Sequence, residues 1–274
     1  MWRLINSGPG TGSWNMAVDE AILEACIRGE VAPTLRIYSW QPPAISLGHF
    51  QRPERALNLD ACRAKGLEVA RRPTGGRAIL HDKEITFSII APLSSLGTQG
   101  VMESYRYLAQ GIIAGLHKVG VPAELMERSA QSPQAAVKPT QKGSPAACFA
   151  VKARCDLMVA GRKIVGSAQV HRGQTLLQQN SLPFLIESDK WREFFQGMDG
   201  NSEGSAAMGL WEAAGRSVGP EEAAEALRQG FEEALGVAFT SSELTEAEKE
   251  RAVELLPLCR VAAPGSKKGH STCH

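Results

Sequence analysis

The sequence predicts an α+β or mixed-sheet domain. Strand-like runs dominate the middle of the chain, and helical patterns fill its last third. The two kinds of element do not alternate regularly, which argues against a doubly wound parallel sheet.

Ser13 suits the N-cap of a helix through Arg28, with Met16, Ile22, Leu23 and Ile27 near one face and Gly29 as its stop. The Gly8-Pro-Gly-Thr-Gly12 stretch before it fits neither common phosphate-loop pattern and reads as a flexible lead into that helix. Residues 34–40 and 44–50 read as short strands, separated by Pro42-Pro43, which no strand interior tolerates. Residues 58–65 form a short helical pattern closed by Gly66. Residues 67–71, 77–80 and 85–91 are strand-like, and 101–119 is the clearest long helix. From 128 to 147 the chain is rich in Ser, Gln, Pro, Lys and Ala, the composition of a functional or disordered loop. Residues 156–166 read as a hairpin turning at Ala160-Gly161, and 174–178 as a further strand. Beyond Glu187 helices are expected, amphipathic over 221–235 and acid-rich at the start of 243–256, with a strand-like run at 237–240. This gives one domain over residues 1–256 and a polar, disordered tail over 257–274.

Composition limits the function. Thirty basic residues stand against 29 acidic ones, a net charge of +1, so nothing marks a nucleic-acid binder. No apolar run approaches the roughly 20 residues that span a bilayer, and the N-terminus lacks a signal-peptide layout, so a cytoplasmic protein with no membrane partner is expected. Six cysteines occur, at 26, 62, 148, 155, 259 and 273, with no CxxC pair, so no metal site is expected. Cys26 and Cys62 fall within helical patterns and look like core.

Three segments could carry chemistry. In Arg71-Arg-Pro-Thr-Gly-Gly-Arg-Ala-Ile-Leu-His-Asp82, paired glycines let the backbone approach a ligand, and Arg71, Arg72 and Arg77 would suit a carboxylate or phosphate. A tight hairpin turn with solvated arginines explains the same residues. His81 and Asp82 tempt one towards a base-and-orienter pair, but adjacent strand residues face opposite sides. Cys148 ends the long polar loop. A thiol there is a good acyl carrier, although most free cysteines are small buried hydrophobes, and Cys155 competes on equal local terms. Lys163 lies on the second arm of the hairpin, where alternation groups it with Val165 and Ser167. It would polarise a carbonyl or neutralise a thiolate there, or be a partly exposed surface lysine.

Together, Asn15-Met-Ala-Val-Asp-Glu20, Pro33-Thr-Leu-Arg-Ile-Tyr-Ser-Trp40, Leu47-Gly-His-Phe-Gln51, the Arg71 to Asp82 block, Cys148-Phe149 and Gly161 to Gln169 resemble the lipoate–biotin protein ligase and octanoyltransferase superfamily. Within it they are most similar to the octanoyltransferases of the Bacillus type. The resemblance covers roughly residues 2 to 256. It implies an α+β fold with a mixed β-sheet flanked by helices, a ligase-type catalytic domain, and an acyltransferase of lipoate biosynthesis that needs no cofactor of its own. The octanoyl donor would be acyl carrier protein, with the acyl group on its phosphopantetheine. The acceptor would be a lysine of a lipoyl domain, typically the glycine cleavage H protein. It also implies Cys148 as the thioester-forming nucleophile and Lys163 as its partner, with Arg71, Arg72, Gly75, Gly76, Arg77 and His81 about the acyl group. The sequence departs from the family pattern at Cys155, where an aromatic residue is usual, and at Gln178-Gln-Asn-Ser181, where relatives often have His-Gly. Two rivals share the fold: an ATP-dependent lipoate–protein ligase, and an amidotransferase that moves octanoyl between lipoyl domains.

Overall fold

The computed structural model describes residues 1–127, 155–187, 192–196 and 207–261. The chain begins with strand β1 (Trp2–Gly10), helix α1 (Gly12–Ile27), β2 (Thr34–Trp40) and β3 (Ala44–Leu47). Two short helices follow, α2 (Pro53–Ala56) and α3 (Leu59–Ala64), then β4 (Glu68–Arg71), β5 (Ile79–His81) and β6 (Glu84–Pro92). A single turn, α4 (Leu93–Leu96), leads into the long α5 (Val101–Lys118), and β7 (Glu124–Glu127) comes next. After the undescribed stretch come β8 (Cys155–Val159), β9 (Arg162–Arg172) and β10 (Thr175–Pro183). The chain continues through α6 (Leu210–Ala214), α7 (Pro220–Leu235), β11 (Phe239–Ser241) and α8 (Glu246–Cys259).

Eight strands form one mixed sheet in the order β11-β1-β2-β6-β10-β9-β8-β7. β1 runs parallel to both its neighbours, and the remaining pairs are antiparallel. A second sheet of three strands has the order β4-β3-β5. On one face of the large sheet, α5 and α7 cover a core that includes Phe87, Ile89, Leu157, Val165 and Phe231. On the other, α1 and α8 pack on Ile5, Tyr38, Ile90 and Leu177. The expected mixed sheet flanked by helices is therefore present.

Several expectations need correction. The glycine-rich lead is the end of β1, held by parallel pairing to β2 with a register shift between Asn6 and Gly8. Gly-Pro-Gly has poor strand propensity, but tertiary pairing overrides so weak a local preference. The cap of α1 is Thr11, whose hydroxyl accepts from the Trp14 amide, because Ser13 is otherwise engaged. Its hydroxyl donates to Glu68 at 2.5 Å, and the Gly12 and Ser13 amides donate to the same carboxylate, an anion seated on a helix N-terminus. No hairpin joins residues 67–71 to 77–80, since β4 and β5 lie on opposite sides of β3. Residues 257–261, expected in the tail, are instead part of the packed structure. α8 runs to Cys259, Arg260 bridges Ala70, and the Val261 amide donates to the Val69 carbonyl at 3.0 Å. Residues 262–274 lie outside the described residues.

The contact of α5 with α7 is made by backbone. A Cβ on Gly230 would stand 2.1 Å from the Gly115 nitrogen and 2.5 Å from the Gly111 oxygen, closer than real Cβ atoms approach. Gly230→Ala must push the two helices apart and should cost at least about 1–3 kcal/mol, the usual price of overpacking. A denaturant melt should show this loss, while Glu233→Ala on the exposed side of α7, which loses only a surface pair with Lys118, stays within about 0.5 kcal/mol. Equal stabilities for the two variants would contradict the helix contact.

Candidate active site

Alternation along paired strands puts Arg36, Tyr38, Thr86, Ser88, Gln179 and Ser181 on the same face of the large sheet. α1 lies over that face and lowers Asp19 into it. Arg36 donates to Asp19 at 2.7 Å, and both side chains are fully buried. The hydroxyls of Tyr38 and Ser88 and the amide of Gln179 donate to the other carboxylate oxygen at 3.0, 2.6 and 2.7 Å. Burial first, and then the Asp19 charge, hold the Tyr38 phenol well above its ordinary value, so it donates without ionising. This network closes one end of a pocket whose apolar lining includes Met16, Trp40, Ile79 and Ala168.

The Arg71 to Asp82 block forms the pocket's rim, but its arginines are spent differently from expectation. Arg71 donates to the carbonyls of Gly48, His49 and Gln51 at 2.9–3.2 Å, which fixes the loop after β3. Arg72 is buried and folds back on its own loop. Its guanidinium donates to the Gly75 and Arg77 carbonyls at 2.7 Å, to Thr74, and to the Ser46 carbonyl and hydroxyl. Both brace the backbone, and Arg72 also lines the pocket. Arg77 is half-buried. Gly76 adopts φ +89°, which L side chains avoid, and a Cβ at Gly48 would come 2.1 Å from its carbonyl oxygen. The paired glycines thus serve a close backbone crossing, with Gly75 beside it.

Behind the rim, His81 is buried and stacks on Trp40, with ring centroids 3.8 Å apart. Its orienter is not Asp82 but Glu84, which brings a carboxylate to 2.7 Å from Nδ1 across a turn at Lys83, φ 47°. Glu84 also accepts from Ser181 at 2.6 Å and from Thr86, which itself accepts from Trp40 at 2.7 Å. His81 Nε2 lies 2.7 Å from Ser46 Oγ. A carboxylate accepts only, so a neutral imidazole here carries its proton on Nδ1 and accepts from Ser46 through Nε2. Ser46, Trp40, His81, Thr86 and Ser181 all line the pocket. Sequence reasoning missed Glu84 and Ser46. The one available signal was a carboxylate three residues past His81, at hairpin distance.

Lys163 is buried, at 3% side-chain exposure, and pairs with Asp156 at 2.7 Å. The expected grouping with Val165 and Ser167 fails because β9 carries a bulge. Val165 faces Leu157 and Lys163 faces Met158, leaving Ile164 as the extra residue. Ile164 and Val165 both enter the core under α5. Lys163 is turned to the opposite face, the side on which Gly166 and Ala168 line the pocket. Alternation along β8 puts Asp156 on that face too, and Cys155 on the other, with Leu157. Cys148 and Phe149 lie outside the described residues.

Among the described residues no group of His, Cys, Asp and Glu is arranged to hold a metal ion, and no helix is long and apolar enough to cross a membrane.

Residues 11–232 match the lipoyl protein ligase A/B catalytic domain family. The chain is 39% identical over 267 residues to an octanoyltransferase LipM of Kyrpidia tusciae, which covers 93% of this chain and 94% of that protein. It is 40% identical over 270 residues to an octanoyltransferase LipM of Symbiobacterium thermophilum, with the same coverage. Among solved structures it resembles a putative lipoate protein ligase of T. acidophilum with bound lipoic acid, at TM-score 0.74 and 24% identity, covering 93% and 95% of the two chains. A lipoate-protein ligase A bound with ATP gives TM-score 0.75 at 24% identity, covering 93% and 94%. These two likenesses establish the fold.

Cys26, Cys62 and Cys259 are buried, and burial pushes each thiol up to about 11. The shift disfavours the thiolate, so at neutral pH these thiols are even less nucleophilic than free cysteine. Iodoacetamide near neutral pH should leave all three unmodified in the folded protein and label them in denaturant. Peptide mass mapping reads this, and labelling of any of the three in the folded state would contradict their burial.

Proposed function

The chain belongs to the lipoyl protein ligase A/B catalytic family, and from that premise we propose that it transfers octanoyl from octanoyl-acyl carrier protein to a lysine of a lipoyl domain. It is an acyltransferase. What supports the finer reading is Lys163, which the β9 bulge turns away from the core under α5, onto the sheet face that carries Gly166 and Ala168. In the first half-reaction the Cys148 thiolate attacks the carbonyl carbon of the donor thioester, and the carrier's phosphopantetheine thiolate leaves. In the second the acceptor amine attacks the Cys148 thioester, the cysteine sulfur leaves, and the amine proton is lost to a base. Exchange of one thioester for another is nearly balanced, and formation of the amide then runs downhill, so no ATP and no resident cofactor are required. Lys163 offers its ammonium to the thiolate or to the oxyanion. Gly75, Gly76, Arg77 and the His81 wall flank the entering acyl group, with Arg71 and Arg72 holding that wall in place. The glycine cleavage H protein is the acceptor we propose, and the reducing cytoplasm the setting that keeps the thiol free.

Incubation with octanoyl-acyl carrier protein without ATP should give a hydroxylamine-labile octanoyl adduct by intact mass. The adduct should vanish in Cys148→Ala and persist in Cys155→Ala. Acceptor modification only with ATP and free acid would indicate the ligase instead, and an adduct formed from octanoylated lipoyl domain but not from the carrier would indicate the amidotransferase.

Lys163 also bears on stability, contrary to the expectation for a partly exposed lysine. Lys163→Ala leaves the buried Asp156 carboxylate without its 2.7 Å partner, a loss of about 3–5 kcal/mol. The double variant Lys163→Gln/Asp156→Asn removes both charges and should recover most of that stability in a urea melt while transfer stays low. Recovery of transfer along with stability would remove the charge of Lys163 from the chemistry.

A further inference from the structure

Ser46, His81 and Glu84 are joined in the order nucleophile, base and orienter. Ser46 Oγ lies 2.7 Å from His81 Nε2, and His81 Nδ1 lies 2.7 Å from Glu84 Oε1. Both distances fall within the range a Ser–His–carboxylate relay requires. Each member is at most 6% exposed, and the first two line the pocket. Nothing in the cysteine route uses this relay.

The arrangement is fixed from all sides. Trp40 stacks on the imidazole and sets its plane, and Trp40 itself is tied to Thr86, which donates to Glu84. Ser181 occupies the second carboxylate oxygen at 2.6 Å, so Glu84 has a single orientation. Arg72 Nη1 donates to Ser46 Oγ at 3.0 Å, which lowers the cost of developing negative charge on that oxygen. With Arg72 donating to Ser46 Oγ, the Ser46 proton is directed to Nε2 of a neutral His81.

We propose that Ser46, His81 and Glu84 give this pocket a second activity, serine-based hydrolysis of activated acyl esters and thioesters, independent of Cys148. Ser46 Oγ attacks the acyl carbonyl carbon as its proton passes to His81 Nε2. The carbon–oxygen or carbon–sulfur bond to the leaving group breaks; a poor leaving group takes that proton from His81 as it departs, whereas a good one leaves as the anion and His81 releases the proton to solvent. Water then attacks the Ser46 ester, giving its proton to His81. The free acid is released, and the proton returns to Ser46. The inference rests on the octanoyl reading only for the medium-chain acyl group as occupant of the pocket.

The test uses the full chain carrying Cys148→Ala, which cannot form the proposed cysteine thioester. Two probes are compared, p-nitrophenyl octanoate and p-nitrophenyl acetate, with p-nitrophenolate release followed by absorbance. The relay requires release that falls by about 10²-fold or more on adding Ser46→Ala, the scale of a lost base-assisted nucleophile. Glu84→Gln in the same background should lower the rate and alter its pH profile, since it removes the anion that orients His81. An octyl fluorophosphonate should add covalently to Ser46 of the folded Cys148→Ala protein, a readout that does not need the Ser46 variant to fold. Ser46-dependent release with the acetyl ester but not the octanoyl ester would support the relay and count against the acyl-length reading. Release unchanged by Ser46→Ala, or no phosphonate adduct on Ser46, would overturn the proposal.

Discussion

The architecture around the pocket depends on one buried charge, the Asp19 carboxylate. It hangs from α1 and accepts from Arg36 and Tyr38 on β2, Ser88 on β6 and Gln179 on β10. Arg36 in turn donates to the Asn15 carbonyl and side chain, so the helix is gripped at two successive turns. Such a pair gains little net stability over well-packed apolar residues, because desolvation offsets most of the attraction. What it supplies here is registry, since only one placement of α1 on the sheet satisfies every donor. The pocket is the space left when the helix is held in that placement.

Three arginines around the pocket work inward. Arg36, Arg71 and Arg72 all point at carbonyls or carboxylates of the chain itself. The planar, multi-donor guanidinium suits this task better than an ammonium, because it can tie several backbone oxygens at once. Two loops are consequently built to shape before any substrate arrives, and the Gly48–Gly76 crossing locks one against the other. Preorganisation of this kind spares the binding step the entropy of ordering loops.

Local patterns were read well from the sequence wherever local physics decides them. β2 matches the strand-like run at 34–40, α5 follows the apolar spacing of 101–119, and the β8–β9 turn sits at Ala160-Gly161, both with positive φ. β1 escaped because its pairing strands, β2 and β11, are remote in sequence and outweigh its Gly-Pro-Gly end. The site was legible as a set of segments but not as a set of bonds. His81 was singled out, yet its partners Ser46 and Glu84 come from another strand and from across a turn. Lys163 was singled out too, but on the wrong face and too exposed, because a bulge leaves no mark in an apolar–polar pattern. Its carboxylate partner seven residues earlier became visible only once β8 and β9 were paired.

That bulge can be understood as a change of reading frame. A strand is decoded two residues at a time, inward and outward, and the extra Ile164 shifts the phase for everything before it. Downstream, the residues at 166 and 168 line the pocket; upstream, the phase that would have sent position 163 to the helices turns it to the opposite face of the sheet, where it meets Asp156. A single inserted residue therefore lets one strand place two consecutive apolar side chains in the core and still deliver a charge to the other side. Comparing related chains by alternation alone would align the strand and mistake its output, whereas comparison by phase would keep the lysine and its core neighbours distinct.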